Sequence, residues 1–177
     1  MDSDSTLWHF DELLQTADYF TGAAAAQTHS DYYLMPGRLF AAAERFAITT
    51  VVGSGVVLCL WDSVRKVGGV AHFLLPDGSL TDINPHRYAN CAGETLLRQM
   101  LVLGASHDSL DARILGGTQP RLTPGNAAEC LGDCNVRAAR RFLEAKDIPV
   151  VHWEVGGARS RKVVFHTDDG SVWAQEL

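Results

Sequence analysis

The chain has 177 residues and a formal net charge of −6, and 46% of its residues are hydrophobic. This length fits one domain that buries its own core, so the chain can fold without disulfides or metal. The four cysteines have irregular spacing, and we interpret them as free thiols. The acidic balance, with no stripe of lysines and arginines, argues against nucleic-acid binding, and no apolar run approaches the about 20 residues of a membrane span.

The N-terminal segment begins Met-Asp-Ser-Asp-Ser-Thr, without the basic and apolar regions of a secretory signal. We therefore expect a cytoplasmic protein without membrane insertion. Over residues 6–26, Leu7, Phe10, Leu13 and Leu14 recur at helical spacing, which predicts a helix. Because this segment precedes the first predicted strand, we interpret residues 1–30 as a helical appendage and residues 31–177 as the domain.

Apolar and β-branched runs, separated by glycine and proline, predict the strands of the domain. In chain order they cover 46–52, 56–61, 70–75, 112–115, 150–155, 162–166 and 171–174. Amphipathic spacing predicts two main helices, over 87–103 and 135–146, and Pro120, Pro124 and Gly125 predict an exposed loop over 118–133. This order predicts a single α+β domain in which both helices cover a largely antiparallel sheet.

Three positions in this region carry candidate chemistry, although each has an ordinary structural explanation. Gly53-Ser54-Gly55 lies between two predicted strands, where it is a tight turn or a loop whose N–H groups hold an oxyanion. His72 lies inside an apolar strand, where a histidine is more often a hydrogen-bonded core residue than a catalyst. Thr49 lies in the preceding strand, for which threonine is a good former. Singly, these residues support no function.

Together they match a pattern. The run Thr49-Thr-Val-Val-Gly-Ser-Gly55, then Leu-Trp-Asp62, then Gly68-Gly-Val-Ala-His72 resembles the chemoreceptor glutamine deamidases, the CheD family. Further pieces of the resemblance follow in order over residues 31–177: Pro36-Gly37, Arg87-Tyr88, Gly116-Gly117, Asn135-Val136, Gly156-Gly157 and Arg161-Lys162.

The resemblance implies an α/β/β sandwich that hydrolyses glutamine side-chain amides of bacterial chemoreceptors to glutamate, without a cofactor. In such a site a cysteine thiolate attacks the amide carbon, and a histidine moves the proton. The resemblance assigns that histidine to His72, its orienting group to Thr49, and the backbone oxyanion site to Gly53 and Ser54. It also implies two partners, the chemoreceptors and a CheC-type phosphatase.

Two basic residues near the C-terminus, Arg161 and Lys162, follow Gly156-Gly157. They are candidates to contact acidic receptor helices, and a solvated turn explains them equally well. Cys130 and Cys134 lack the usual spacing of zinc ligands, which favours structural thiols over a metal site.

The chain departs from the family at Gly55, which stands where the family has its nucleophilic cysteine. Three explanations stay open. The glycine is an inactivating substitution in an otherwise intact site, or the chain is a natural pseudo-enzyme that binds chemoreceptors or a CheC-type phosphatase. The third explanation is that Ser54 or Cys59 replaces the thiol. A hairpin turning near Arg65 predicts that Cys59 pairs with His72.

Overall fold

A computed structural model describes residues 18–19, 30–119 and 130–177 of the chain. The strands it contains there are β1 (Asp18–Tyr19), β2 (Ser30–Tyr33), β3 (Arg38–Ala42), β4 (Phe46–Val52), β5 (Val56–Asp62), β6 (Val67–Phe73), β7 (Leu110–Gly116), β8 (Val150–Val155), β9 (Arg161–His166) and β10 (Val172–Glu176). The helices are α1 (Ala89–Val102) and α2 (Leu131–Ala145), and short 3₁₀ turns cover Pro85–Arg87 and His107–Ser109.

The strands form two sheets. One has six strands in the order β1-β3-β6-β5-β7-β8, and the other has four in the order β10-β9-β4-β2. Pairing is parallel between β1 and β3, between β2 and β4, and between β7 and β8, and the other pairs are antiparallel. The predicted single α+β domain with largely antiparallel sheet layers is confirmed, and the layers are two mixed sheets.

The central strand β5 shows how the layers are built. Successive side chains of a strand point to opposite faces, so its even and odd positions enter different cores. Leu58 and Leu60 pack with the helices, in a core that includes Leu96 of α1 and Leu143 of α2. On the other face lies the core between the two sheets, whose members include Val57, Cys59, Ile48, Val52 and Phe165. The order of layers is therefore helices, six-stranded sheet, four-stranded sheet.

Several predicted elements differ from the structure. The strands β2 and β3 were not predicted, and α2 begins at Leu131 rather than at residue 135, so it takes the end of the predicted loop 118–133. Asp18–Tyr19 pair with β3 as a strand, which makes the helix predicted over 6–26 wrong at those two residues. The rest of that segment lies outside the described residues. The boundary between residues 30 and 31 stays a prediction.

The buried carboxylate of Asp62 fixes the turn between β5 and β6. Its Oδ1 accepts the N–H groups of Val64 and Arg65 at 2.8 and 2.9 Å, and its Oδ2 accepts that of Ser106 at 2.6 Å. Burial by itself raises the pKa of Asp62, but these hydrogen bonds favour the charged form, and the net pKa is lowered. The carboxylate thus ties the turn to the segment after α1.

This turn also sets the register of β5 and β6. Asp62 pairs with Val67, so His72 lies opposite Val57, and Cys59 lies opposite Val70. The predicted pairing of His72 with Cys59 is therefore wrong by two residues. The physical reason is that displacing the centre of a hairpin turn by one residue shifts every cross-strand pair by two.

Candidate active site

The loop Gly53-Ser54-Gly55 connects the four-stranded sheet to the six-stranded sheet, and each of its three carbonyl groups accepts a hydrogen bond. Gly53 O accepts the N–H of Thr118 at 2.9 Å, and Gly55 O accepts the N–H of Gly117 at 2.7 Å. Ser54 O accepts Nδ2 of Asn135 at 2.9 Å. The end of β7 and the first turns of α2 therefore determine where this loop lies.

The direction of these carbonyl groups also determines where the loop presents its donors. In a trans peptide the C=O and the following N–H point in opposite directions. The N–H groups of Ser54 and Gly55 therefore point away from Thr118 and Asn135 respectively. This is the type of backbone arrangement that an oxyanion site uses, and the assignment of Gly53 and Ser54 to that role stays a prediction.

Gly116 allows the close approach between β7 and the loop. Its φ is +109°, and a β-carbon there would lie 2.6 Å from Gly55 O. A side chain at residue 116 would therefore be strained by its own backbone and would displace the loop. The Gly116-Gly117 pair that contributed to the family resemblance thus has a physical role beside the candidate site.

The tautomer of His72 follows from its hydrogen bonds. Thr50 Oγ1 donates its one hydrogen to Leu34 O at 2.8 Å, and it also lies 2.9 Å from His72 Nδ1. Since a hydroxyl has only one hydrogen to donate, it accepts from Nδ1, which must carry the imidazole proton. Nε2 is then the unprotonated nitrogen, and its lone pair is available to act as a base.

The unprotonated Nε2 lies beside Gly55. A β-carbon built on Gly55 would be 3.2 Å from His72 Nε2 and 2.7 Å from Phe73 O. The structure therefore brings together the two sequence-predicted residues, Gly55 in the loop before β5 and His72 in β6. Glycine at residue 55 fits closely, because the carbonyl of Phe73 occupies the space that a β-carbon would need.

The orienting role expected for Thr49 is geometrically available to its neighbour instead. In β4, the side chains of Ile48, Thr50 and Val52 are buried, whereas Thr49 is half-buried and Val51 is exposed. The hydroxyl in contact with His72 is that of Thr50. Sequence reasoning missed Thr50, although the alternation of apolar residues at 48 and 52 around it was a signal for the buried face.

Neither residue suggested as a substitute nucleophile has a geometry suited to the task. Cys59 is fully buried in the core between the sheets, and desolvation raises the pKa of its thiol to about 12. A thiol in such surroundings stays protonated at neutral pH and is a poor nucleophile. Ser54 is half-buried, and among the described residues none is placed to take the proton of its hydroxyl.

Asn135 is a second residue that sequence reasoning left without a role. Its side chain is completely buried, and Nδ2 donates to Ser54 O and to Leu74 O, both at 2.9 Å. One amide therefore connects the loop that carries Gly55 to the end of the strand that carries His72. The signal in the sequence was its place in the family pattern, where it opens a helix, but helical spacing alone does not reveal such a contact.

The two basic candidates for substrate binding have different surroundings. Arg161 is 5% exposed, and its guanidinium contacts Glu154 Oε1 at 3.1 Å and Gly156 O at 2.8 Å. Those contacts connect β9 to β8 and give Arg161 a structural explanation. Lys162 is exposed. The substrate-binding role of both residues stays a prediction.

Burial of His72 gives the protein a specific sensitivity to acid. The side chain is 2% exposed, and desolvation lowers its pKa from 6.5 to about 4. Between these values the unfolded chain binds a proton that the folded chain does not, so stability falls as pH falls. We expect His72 to account for a loss of about 2 kcal/mol in unfolding free energy between pH 7 and pH 5, measured by urea denaturation.

The control for this measurement is His72→Gln, which keeps a donor toward Thr50 but does not titrate. The pKa of His86 is also lowered, by burial and by Arg38, and this contribution is present in both proteins. The difference between the two pH profiles therefore isolates His72. Equal slopes for both proteins would contradict the assignment of a buried, neutral imidazole.

The described residues contain neither a metal cluster nor a membrane-spanning helix. Within 30–119 and 130–177, no three His, Cys, Asp or Glu side chains lie close enough together to hold a metal ion. Neither helix of the described chain has the length and apolar character that crossing a membrane requires.

Comparison with known proteins identifies relatives of this chain. The family model described as CheD chemotactic sensory transduction matches residues 74–176. The probable chemoreceptor glutamine deamidase CheD 1 of Anaeromyxobacter dehalogenans (strain 2CP-C) is 42% identical over 145 residues, which cover 82% of this chain and 84% of the relative. Probable chemoreceptor glutamine deamidases CheD of Stenotrophomonas maltophilia (strain K279a) and Xanthomonas axonopodis pv. citri (strain 306) are 36% and 34% identical, over 81% and 98% of this chain and 72% and 83% of theirs.

These matches differ in the part of the chain that they cover. The family model begins after Gly55 and His72, whereas a match of 145 residues within 177 must include residues 33–145 and therefore spans both. The solved structure of the hypothetical protein YfiH of Bacillus licheniformis covers 82% of this chain and 67% of its own at 13% identity, with a TM-score of 0.42, which is too low to support an argument. The family model and the curated relatives together show that the chain belongs to the CheD family.

Proposed function

We propose that the chain has the substrate site of a chemoreceptor glutamine deamidase but lacks the covalent nucleophile, so that it binds receptor glutamines without hydrolysing them. One observation carries the proposal: the unprotonated Nε2 of His72 faces Gly55, which has no side chain to activate. The names of the curated relatives supply the substrate class. Losing a covalent nucleophile costs an enzyme several orders of magnitude in rate.

The packing around Gly55 supports a site adapted to glycine. The atom that would collide with a β-carbon is a backbone carbonyl, that of Phe73, which cannot rotate away as a side chain does. This observation favours a natural pseudo-enzyme over an inactivating substitution in a site built for cysteine. The intact contact between Thr50 and His72, in contrast, is what an inactivating substitution in an otherwise complete site would leave.

The surface next to Thr50 and His72 is suited to an apolar partner segment. Leu34, whose carbonyl accepts Thr50, lies between Tyr33 and Met35, which are 55% and 58% exposed. Exposed apolar side chains beside a buried polar site are a common feature of recognition surfaces. We assign them the task of contacting the receptor around its glutamine. A CheC-type phosphatase, implied by the family resemblance, is the second candidate for this surface.

The proposal predicts binding without turnover. A receptor cytoplasmic fragment with glutamine at its modification sites is expected to bind the chain, measured by calorimetry, while a coupled assay detects no ammonia above the buffer rate. Met35→Asp is expected to weaken binding about tenfold or more, because it places a charge in an apolar contact. Val64→Asp is the matched control. Val64 is 71% exposed and lies in the turn between β5 and β6, at the end of these two strands that is distant from Gly55 and His72.

Two results would overturn the proposal, and a third would overturn its placement of the receptor contact. Absence of binding, to fragments bearing either glutamine or glutamate, would show that the surface beside His72 does not recognise receptors. Ammonia release by the unsubstituted chain, abolished by Cys59→Ala or Ser54→Ala, would show that another residue replaces the thiol. Equal weakening by Met35→Asp and Val64→Asp would place the receptor contact elsewhere.

A further inference from the structure

The strand β8 forms an exposed, apolar end of the six-stranded sheet. Among the described strands it pairs with β7 alone, and the side chains of Val151 and Trp153 are 57% and 43% exposed. The outer side of such a strand presents backbone N–H and C=O groups to any chain that adds to it. Native proteins usually protect such edges with lysine or proline, and residues 150–155 contain neither.

The sequence of this strand is complementary to itself. Residues 151–155 read Val-His-Trp-Glu-Val. When a second copy runs antiparallel with Trp153 opposite Trp153, His152 faces Glu154 and Val151 faces Val155, and each of these contacts occurs twice. We propose that β8 pairs with β8 of a second copy, giving a two-fold symmetric dimer in which the six-stranded sheet continues across both chains.

The direction of the backbone groups agrees with this pairing. The N–H of Gly156 donates to Gly116 O at 2.9 Å, so the backbone N–H of residue 156 points toward β7. Since the backbone N–H and C=O groups of successive strand residues alternate in direction, those of Glu154 also point toward β7. The backbone groups of Trp153 and Val155 point away from β7, to the open edge of the sheet. Trp153 then forms a hydrogen-bonded pair with its own copy. The register shifts between Ala112 and Arg113, which pair with Val150 and His152, so Val151 has no partner on β7 and the alternation holds only from His152 onward.

The charged pair falls where side chains approach most closely. His152 and Glu154 flank the central hydrogen-bonded pair, so they occupy non-hydrogen-bonded positions, at which opposite residues are nearest. Their side chains are 42% and 39% exposed, and within one chain His152 Nε2 lies 3.7 Å from Glu154 Oε2. His152 Nε2 is buried and makes no hydrogen bond to a described residue, so the imidazole must turn outward to face Glu154 of a second copy. Glu154 Oε1 accepts Nε of Arg161 at 3.1 Å, which holds the carboxylate in place before pairing.

On the other face of the strand, the pairing covers apolar surface. The ring of Trp153 lies 5.8 Å from the guanidinium of Arg140 and borders a groove of about 520 Å³ that Leu143 and Ile148 also line. With the two-fold axis at Trp153, the indole rings of both copies meet on this face. Aromatic pairs across strands are among the most stabilising side-chain contacts in a sheet.

The experiment is sedimentation velocity of the full chain over a range of concentrations, with matched variants of exposed residues. The unsubstituted chain is expected to form a species of twice the monomer mass of 19.3 kDa. His152→Glu places like charges opposite each other twice and is expected to weaken the dimer about tenfold, whereas His152→Lys keeps opposite charges and the dimer.

A second pair of variants distinguishes this strand from the edge of the other sheet. Trp153→Ala is expected to give a monomer, and Trp173→Ala to leave the dimer intact, since Trp173 is 51% exposed on the edge strand β10. A monomer at all concentrations would overturn the proposal. A dimer that survives both His152→Glu and Trp153→Ala would overturn it too, and thermal unfolding checks that each variant is folded.

Discussion

Replacing Gly55 with cysteine is expected to start amide hydrolysis in this chain, at least about a thousandfold above the rate of the unsubstituted protein. A β-carbon at residue 55 lies 3.2 Å from His72 Nε2, so the thiol comes within reach of the nitrogen that lacks a proton. The imidazole takes the thiol proton and the sulfur bonds to the amide carbon. The C–N bond then breaks as ammonia receives that proton, and water hydrolyses the thioester.

The measurement is ammonia release from a receptor fragment, with conversion of glutamine to glutamate confirmed by mass spectrometry. Gly55→Ser is the matched control, because it adds the same β-carbon but a hydroxyl that is a weaker nucleophile. Both variants are expected to lose about 1–3 kcal/mol of stability, since the carbonyl of Phe73 must move. A folded, receptor-binding cysteine variant that is as inactive as the serine variant would show that the site serves binding alone.

The cysteine variant also decides which threonine orients the base. With Gly55→Cys present, Thr50→Val removes the acceptor of the Nδ1 proton and is expected to cost about tenfold to a hundredfold in kcat. Thr49→Val changes the adjacent residue in the same way, without touching His72, and is expected to leave kcat within about twofold. Restoration of the rate by Thr50→Ser would confirm that the hydroxyl, not the packing of the side chain, is responsible.

The sequence predicts best the strands whose side chains are apolar on both faces of the sheet. The β5 run from Val56 is apolar on both faces because helices cover one and the second sheet covers the other. In contrast, β2 has the residues Ser30-Asp-Tyr-Tyr33 and is mostly exposed, so neither composition nor periodicity marks it as a strand. Its pairing with β4 is a long-range contact, which local patterns do not report.

The site shows the same division between local and long-range information. The family pattern located Gly55 and His72, and their proximity follows from the register of β5 and β6. Patterns of adjacent residues do not report which residue lies at the centre of the turn between these strands, which explains the error of two residues in the predicted pairing. The choice between Thr49 and Thr50, however, was available from strand alternation, since the side chains of Ile48 and Val52 are buried on the side of Thr50.

Replacing Asn135 with leucine is expected to destabilise the protein by about 2–4 kcal/mol and, in the Gly55→Cys background, to lower kcat about a hundredfold. Leucine has the same number and branching of side-chain heavy atoms as asparagine but no donor, so Ser54 O and Leu74 O both become buried acceptors without a partner. The loop that carries Gly55 and the end of the strand that carries His72 then lose their common contact. A small displacement between nucleophile and base is enough to produce such a loss of rate.

Asn90 is the matched control, because its Nδ2 also donates to a carbonyl, that of Gly78 at 2.9 Å, but on the exposed surface of α1. Asn90→Leu is expected to cost less than about 1 kcal/mol in urea unfolding and to leave kcat unchanged, since water replaces the lost donor. A positioning role for Asn135 also requires that KM for the receptor fragment change little while kcat falls. If Asn135→Leu costs no more stability and no more kcat than Asn90→Leu, the amide does not hold the site together.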